Sequence, residues 1–164
     1  MDMEKASGSL QRAEHLLRAA YEKQMGGDYL AAIELYKDSI AERPTAEAHT
    51  FLGWTYSFLG RYDDAIHECE KAIQVDPDFG NPYNDIGSYL VHLGKIEEAI
   101  PWLQKAKDAP RYEPRHFPYI NLGRIYMKLG QVEQAVREFE QAAFIQKSIE
   151  SSDSPDEEAD PVVH

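Results

Sequence analysis

Apolar residues along this chain come in pairs of short runs with helical spacing, and a turn containing glycine separates the two runs of each pair. One such pair lies between residues 46 and 75, on either side of Gly60. Apolar positions three or four residues apart predict two short amphipathic helices joined by a tight turn. These positions are Phe51, Leu52, Tyr56 and Leu59 in the first run, and Ala65, Ile66, Cys69, Ala72 and Ile73 in the second.

The same helix pair is repeated along the chain. Gly53, Gly87 and Gly123 occupy equivalent places, separated by 34 and 36 residues. An earlier and less regular copy has Ala32 placed 33 residues before Ala65. A shared period of this length indicates one structural unit present in four copies. The eight predicted helices span about 9–25, 29–43, 46–59, 62–75, 80–93, 96–109, 116–129 and 132–149.

Each regular copy carries the same short motif, which resembles the tetratricopeptide repeat. Leu52-Gly53, Ile86-Gly87 and Leu122-Gly123 are each followed by a glycine seven residues after the dipeptide's glycine and by an alanine twelve residues after it. The resemblance covers residues 9–149 and implies an all-α fold, a right-handed α-solenoid of four repeats. We place the repeats at about 13–45, 46–79, 80–115 and 116–149.

The glycines of the motif have a physical explanation. Gly53 lies inside a predicted helix, where glycine costs about 0.5–1 kcal/mol relative to alanine. Its presence there is best explained by a neighbouring helix that must approach closely. Gly60, Gly94 and Gly130 suit the left-handed backbone position that ends a helix.

Two places depart from the regular pattern. The link between the third and fourth copies, residues 109–118, has two extra residues and several prolines, which predicts a stiff connection with an altered angle. Pro101 lies about one turn inside its helix, where proline removes a hydrogen bond and crowds the preceding turn. We therefore expect a bend or a late start in that helix.

Charge narrows the choice of partners. The formal net charge is −12, and half of it lies on residues 150–164, which contain six acidic residues and neither Lys nor Arg. This segment has the composition of a disordered acidic tail. Nucleic acids and anionic membranes attract basic surfaces, so neither is an expected partner. The N-terminal residues lack the pattern of a signal peptide, and we expect a soluble, cytoplasmic protein.

No constellation of residues predicts catalysis. His67-Glu68-Cys69 resembles the start of the zinc motif HExxH, but the second histidine is absent, so Cys69 is expected in the core among solvated charges. Asp63-Asp64 and Glu97-Glu98 lie at starts of second helices, where acidic residues suit the helix dipole. We expect no enzyme activity, no catalytic residue, no cofactor and no metal.

The family resemblance implies a concave groove, lined by the first helix of each repeat, which binds a peptide or helix of a partner protein. Trp54 is notable because the usual core aromatic of the repeat lies five residues earlier, where this chain has His49. The predicted partner-binding residues are Leu17, Tyr21, Met25, Phe51, Trp54, Phe58, Asn84, Asp85, Ser88, Asn121, Arg124 and Lys128. Gln24 and Thr50 are also predicted to face this groove.

Some members of the family bind acidic chaperone tails through a clamp of Lys, Arg and Asn. The matching positions here contain no cation, which disfavours that ligand. They are Leu17, Tyr21, Phe51, Asn81 and Asp85.

Two alternatives to an interaction scaffold remain. One is a dedicated chaperone of a secreted or assembling client, which uses the same groove. The other is self-assembly, as a homodimer, through the last helix, whose apolar residues have no following helix to cover them. These residues are Val132, Val136, Phe139, Ala143, Phe144 and Ile145.

Overall fold

The structure, a computed structural model, describes residues 2–153, and within this range the regular elements are eight α-helices. They are α1 (Asp2–Met25), α2 (Tyr29–Glu42), α3 (Ala46–Phe58), α4 (Tyr62–Val75), α5 (Asn81–His92), α6 (Ile96–Asp108), α7 (Phe117–Lys128) and α8 (Val132–Ser152).

The predicted all-α repeat solenoid is confirmed, and the helices differ from expectation chiefly at the two ends. α1 begins at Asp2 instead of residue 9. α8 continues to Ser152, so the assignment of residues 150–152 to a disordered tail is wrong. The remainder of the predicted tail, residues 154–164, lies outside the described residues.

The same type of turn joins the two helices of each of the four repeats. In the second repeat, the Gly60 amide donates to the Ser57 carbonyl and the Arg61 amide donates to the Tyr56 carbonyl, both at 3.0 Å. This pair of hydrogen bonds requires a residue in the left-handed backbone conformation, and Gly60 has φ of 72°. Gly27, Gly94 and Gly130 have φ of 82°, 78° and 73° in the equivalent turns. The irregular first copy therefore has the same turn as the others.

Close approach of paired helices explains the glycine within each first helix, as predicted. A Cβ atom added to Gly53 would lie 2.8 Å from the Ala65 carbonyl oxygen of α4. At Gly87 it would lie 2.6 Å from the side chain of Leu103 in α6. The motif alanine of the second helix is fully buried in both repeats, with 0% exposure at Ala65 and at Ala99.

The described residues divide into two compact units. One contains α1–α6 and extends to Pro114, and the other begins at Arg115 and contains α7 and α8. Within the first unit each helix pair packs against the next, α2 on α3 and α4 on α5.

Residues 109–113 of the proline-rich link are anchored on the first unit. The Arg111 amide donates to the Asp78 carbonyl at 3.1 Å, and the Gly80 amide donates to the Arg111 carbonyl at 2.8 Å. The Arg111 guanidinium lies 4.4 Å above the ring of Phe79, and it bonds the carboxylates of Glu47 and Asp76. These contacts attach Arg111 to the first unit, and the stiffness and altered angle of the link stay predictions.

Pro101 does not delay its helix. α6 begins at Ile96, as the spacing predicts, and continues through Pro101 to Asp108. The expectation of a late start is therefore wrong.

Close packing at Gly53 and looser packing at Gly8 predict opposite effects of alanine substitution on stability. Gly53→Ala should lower the free energy of unfolding by about 2–4 kcal/mol, because the new methyl group meets a backbone carbonyl that cannot move aside. Gly8→Ala, in the first turns of α1, meets only the tip of Arg12 at 3.5 Å and should raise stability by about 0.5–1 kcal/mol. Urea unfolding of both variants measures the difference, and equal effects would contradict the packing argument.

Candidate functional site

The first helices of the first three repeats lie side by side. α3 contacts both α1 and α5, in addition to α2 and α4. We call the surface of the first unit formed by α1, α3 and α5 the first-helix face. It carries the predicted partner-binding residues of the first three repeats.

Aromatic side chains join α1 and α3 on this face. The ring of Phe51 lies 5.8 Å from that of Tyr21 on α1 and 6.2 Å from that of Tyr36 on α2. Phe58 lies 5.3 Å from Trp54 and stacks almost parallel on Tyr29 at 5.2 Å. Four of the predicted residues therefore form two aromatic groups instead of standing separately.

These groups combine buried and exposed parts. Tyr21 is 41% exposed, Met25 52% and Phe58 48%, whereas Phe51, Trp54 and Leu17 are half-buried. Tyr36, which supports Phe51 from below, is fully buried. The aromatic surface therefore rests on the buried Tyr36, while parts of its side chains remain in contact with water.

Two of the residues predicted to face the groove are buried instead. Gln24 is 3% exposed, and its Oε1 accepts hydrogen bonds from the Tyr36 hydroxyl at 2.6 Å and from Thr55 Oγ1 at 3.1 Å. Thr50 is also 3% exposed and donates to the Ala46 carbonyl at 2.7 Å. The sequence prediction is wrong for these two, because helix packing encloses both side chains, and Gln24 Oε1 and Thr50 Oγ1 form hydrogen bonds inside the protein.

The α5 part of the face is polar and more enclosed. Asn84 is 8% exposed, and Ser88 and Asp85 are half-buried. The Asp85 carboxyl group lies near Cys69 of α4, Tyr89 of α5 and Tyr112 of the link. Burial raises the pKa of Asp85 to about 7, although a hydrogen bond from Asn84 opposes the shift.

A buried contact between two polar side chains connects α3 and α4. His49 Nδ1 lies 2.8 Å from Glu68 Oε2, and both side chains are about nine-tenths enclosed. Burial raises the pKa of Glu68, but bonds from His49 and from Lys71, at 3.0 Å, outweigh it and lower the pKa overall. His49 thus fills the usual aromatic position of the repeat by pairing with Glu68, which sequence reasoning had placed among solvated charges.

The remaining chemical candidates have structural explanations. Cys69 is completely buried, and burial raises the pKa of its thiol, which makes it a core residue as expected. Asp63-Asp64 and Glu97-Glu98 lie exposed in the first turns of α4 and α6, as predicted. Within residues 2–153, no three His, Cys, Asp or Glu side chains are grouped as a metal ion would require. In the same range no helix combines the length and hydropathy needed to cross a bilayer.

The fourth repeat carries the other three predicted residues on the second unit. Asn121 is half-buried in α7, and Arg124 and Lys128 of the same helix are exposed. α7 packs on α8. A Cβ atom added to Gly123 of α7 would lie only 2.5 Å from the ring of Phe139 on α8.

The raised pKa of the half-buried Asp85 carboxyl group predicts a specific pH dependence of stability. A carboxyl group whose pKa is raised by folding holds its proton more tightly in the folded chain, so its effect on stability becomes unfavourable as pH rises from about 4 to about 7. Asp85→Asn should therefore stabilise the protein by about 1–3 kcal/mol more at pH 8 than at pH 4, relative to the unchanged protein. Urea unfolding at both pH values measures this difference.

Two features isolate the Asp85 effect. Glu68 has a lowered pKa, so the stability it contributes is lost only as pH falls through that lowered value. Asp38→Asn, at an exposed position in the middle of α2, serves as the control and should leave the pH profile parallel to that of the unchanged protein. A parallel profile for Asp85→Asn as well would show that the carboxyl group is solvated.

Comparison with known proteins agrees with the repeat pattern. Sequence profiles of the tetratricopeptide repeat match residues 46–79, 81–111 and 116–148. Small glutamine-rich tetratricopeptide repeat-containing protein 2 of Mycosarcoma maydis is 32% identical over 97 residues, which are 58% of this chain and 28% of that relative. The chain thus spans little more than a quarter of that relative's length.

Solved structures show the same fold. Pseudomonas aeruginosa pilF superposes with a TM-score of 0.79 at 21% identity, covering 85% of this chain and 64% of that one. The second tetratricopeptide repeat domain of Spaghetti (RPAP3), bound to the HSP90 peptide SRMEEVD, gives a TM-score of 0.61 at 23% identity, covering 65% of this chain and 98% of that one. With three repeat matches, four equivalent turns and this fold, the chain belongs to the tetratricopeptide repeat family.

Proposed function

We propose that this chain is a non-catalytic interaction module whose first-helix face binds an apolar segment of a partner polypeptide. The observation that carries the proposal is the partly exposed aromatic surface of α1 and α3, built from Tyr21, Phe51, Trp54 and Phe58. Aromatic residues that are fixed in position and partly exposed are the usual anchors of protein interfaces, because they bury large areas at little entropic cost.

The charge of the face supports an apolar ligand over an acidic one. α3 and α5 contain neither Lys nor Arg, and Asp85 adds a carboxyl group to the face, so the basic residues of the face, such as the exposed Arg18, lie on α1. A clamp for a peptide carboxylate needs cations at these places. The acidic HSP90 peptide bound by the Spaghetti domain is therefore a poor candidate ligand for the first unit of this chain.

Polar groups on α5 can fix the orientation of a segment bound to the first-helix face. Asn84, Asp85 and Ser88 follow the aromatic residues, and amide or hydroxyl groups in this position can bond the backbone of an extended or helical segment. Asn121, Arg124 and Lys128 lie on the second unit and stay predicted partner-binding residues. Cytoplasmic localisation stays a prediction.

The central test removes the aromatic anchor. Peptides selected from a random library against the full chain should be apolar or amphipathic, and Trp54→Ala should weaken their binding at least about tenfold, the usual effect of losing an interface anchor. Isothermal titration calorimetry measures the dissociation constants. Trp102→Ala is the matched control, because Trp102 lies on the second helix α6 against Tyr83 and Lys105.

The outcomes separate the alternatives. Equal binding by both tryptophan variants would contradict the proposed face. If the peptide SRMEEVD binds with a dissociation constant below roughly 100 μM and Trp54→Ala leaves that constant unchanged, the proposal of an apolar ligand is contradicted. A single partner that co-purifies in a one-to-one ratio and blocks the selected peptides would favour the dedicated chaperone among the possible roles of the same face.

A further inference from the structure

The second unit carries an apolar stripe on α8 that remains partly exposed, although one of its residues, Phe139, also packs against Gly123 of α7. Val132 is 54% exposed, Val136 45% and Phe139 37%, and Ala143 is also exposed. These four residues follow one another at spacings of four, three and four, which places them on one side of the helix. We call them the α8 stripe.

The first unit shows what such a stripe does in this fold. The equivalent residues of α2 are Tyr29, Ile33, Tyr36 and Ile40, and Ile33 and Tyr36 are 5% and 0% exposed. α3 covers them, with Phe51 against Tyr36 and Phe58 against Tyr29. α4 is covered by α5 in the same way, with His92 stacked on Tyr62 at 4.9 Å. The α8 stripe is therefore shaped to receive another helix.

We propose that the α8 stripe is a homodimer interface, in which α8 packs antiparallel against α8 of a second copy. The order of spacings, four, three and four, reads the same in both directions along the helix. A two-fold axis between residues 137 and 138 therefore sets Val132 opposite Ala143 and Val136 opposite Phe139, so that apolar residues meet on both sides. An isologous contact requires such self-complementarity.

Other occupants from the same sequence fit less well. α1 of a second copy would need an apolar outer surface, but it has exposed Arg18 and Glu22 where α3 has Phe51 and Thr55. The segment 154–164 contains four acidic residues and two prolines, and its only large apolar residues are Val162 and Val163.

The size of the stripe sets the expected strength. Twelve residues of helix extend about 16 Å, which is small for a stable interface, so dimerisation at roughly tens of micromolar is expected. Because the chain has a formal net charge of −12, added salt should strengthen the association by screening repulsion between copies. This proposal does not depend on the first-helix face.

Sedimentation velocity of the full chain, from about 5 to about 500 μM, tests the proposal. The unchanged protein should show a monomer–dimer equilibrium, and Val136→Glu should weaken it at least about tenfold. Phe144→Glu is the matched control, because Phe144 is 70% exposed on α8 yet lies about 100° around the helix from Ala143. Circular dichroism confirms that each variant is folded.

Cross-linking tests the orientation. In an antiparallel pair, Val132→Cys should form a disulfide with Ala143→Cys on the other copy and little with a second Val132→Cys. A monomer throughout the concentration range would overturn the proposal. Equal loss of dimer in Val136→Glu and Phe144→Glu, or disulfides formed only between identical positions, would also overturn it.

Discussion

The structure depends on the close approach of the two helices in each repeat. That approach is possible because the first helix has no side chain at Gly53 or Gly87 and the second has only a methyl group at Ala65 or Ala99. A helical glycine weakens the isolated helix, and it is retained here because the contact it permits is worth more than the lost helix propensity. The left-handed glycine of each turn then fixes the direction in which the second helix leaves the first.

Stacking of repeats follows from this pairing and decides which surfaces remain available. A helix pair buries only part of its apolar surface, so the outer side of the second helix must be covered by the next repeat. Tyr36 illustrates the result, since it is fully buried between α2 and α3 and supports Phe51, which reaches the surface. The same aromatic contact thus contributes to the core and positions a residue of the first-helix face.

Much of this architecture can be predicted from the sequence because it depends on local, repeated features. The turn at Gly60 needs one residue type at one place, and the helix boundaries follow from the glycines and apolar spacing around it. Less of the first-helix face than of the architecture could be predicted from the sequence. Helical spacing gives the side of the helix on which Gln24 lies, but only the packed structure shows that Tyr36 and Thr55 enclose it.

The contacts that sequence reasoning missed join residues far apart in the chain. Arg111 bonds Glu47 across 64 positions, and His49 pairs with Glu68 across 19. Neither pair belongs to the periodic pattern, so no spacing rule connects the partners. A charge in the sequence looks solvated until the neighbouring helix is placed, and then burial determines whether it must be paired.

An exposed apolar surface of a repeat protein can continue the stack or bind a ligand, and the two surfaces for which we propose these roles differ in composition. The α8 stripe contains aliphatic residues and one phenylalanine, at the positions that α2 and α4 use for stacking. The first-helix face contains aromatic residues at positions that stacking does not require, such as Trp54, together with polar groups on α5. A stacking surface needs only to match the shape of another helix, whereas a ligand surface must also fix the orientation of a different chain, and directional polar groups beside aromatic anchors provide that orientation.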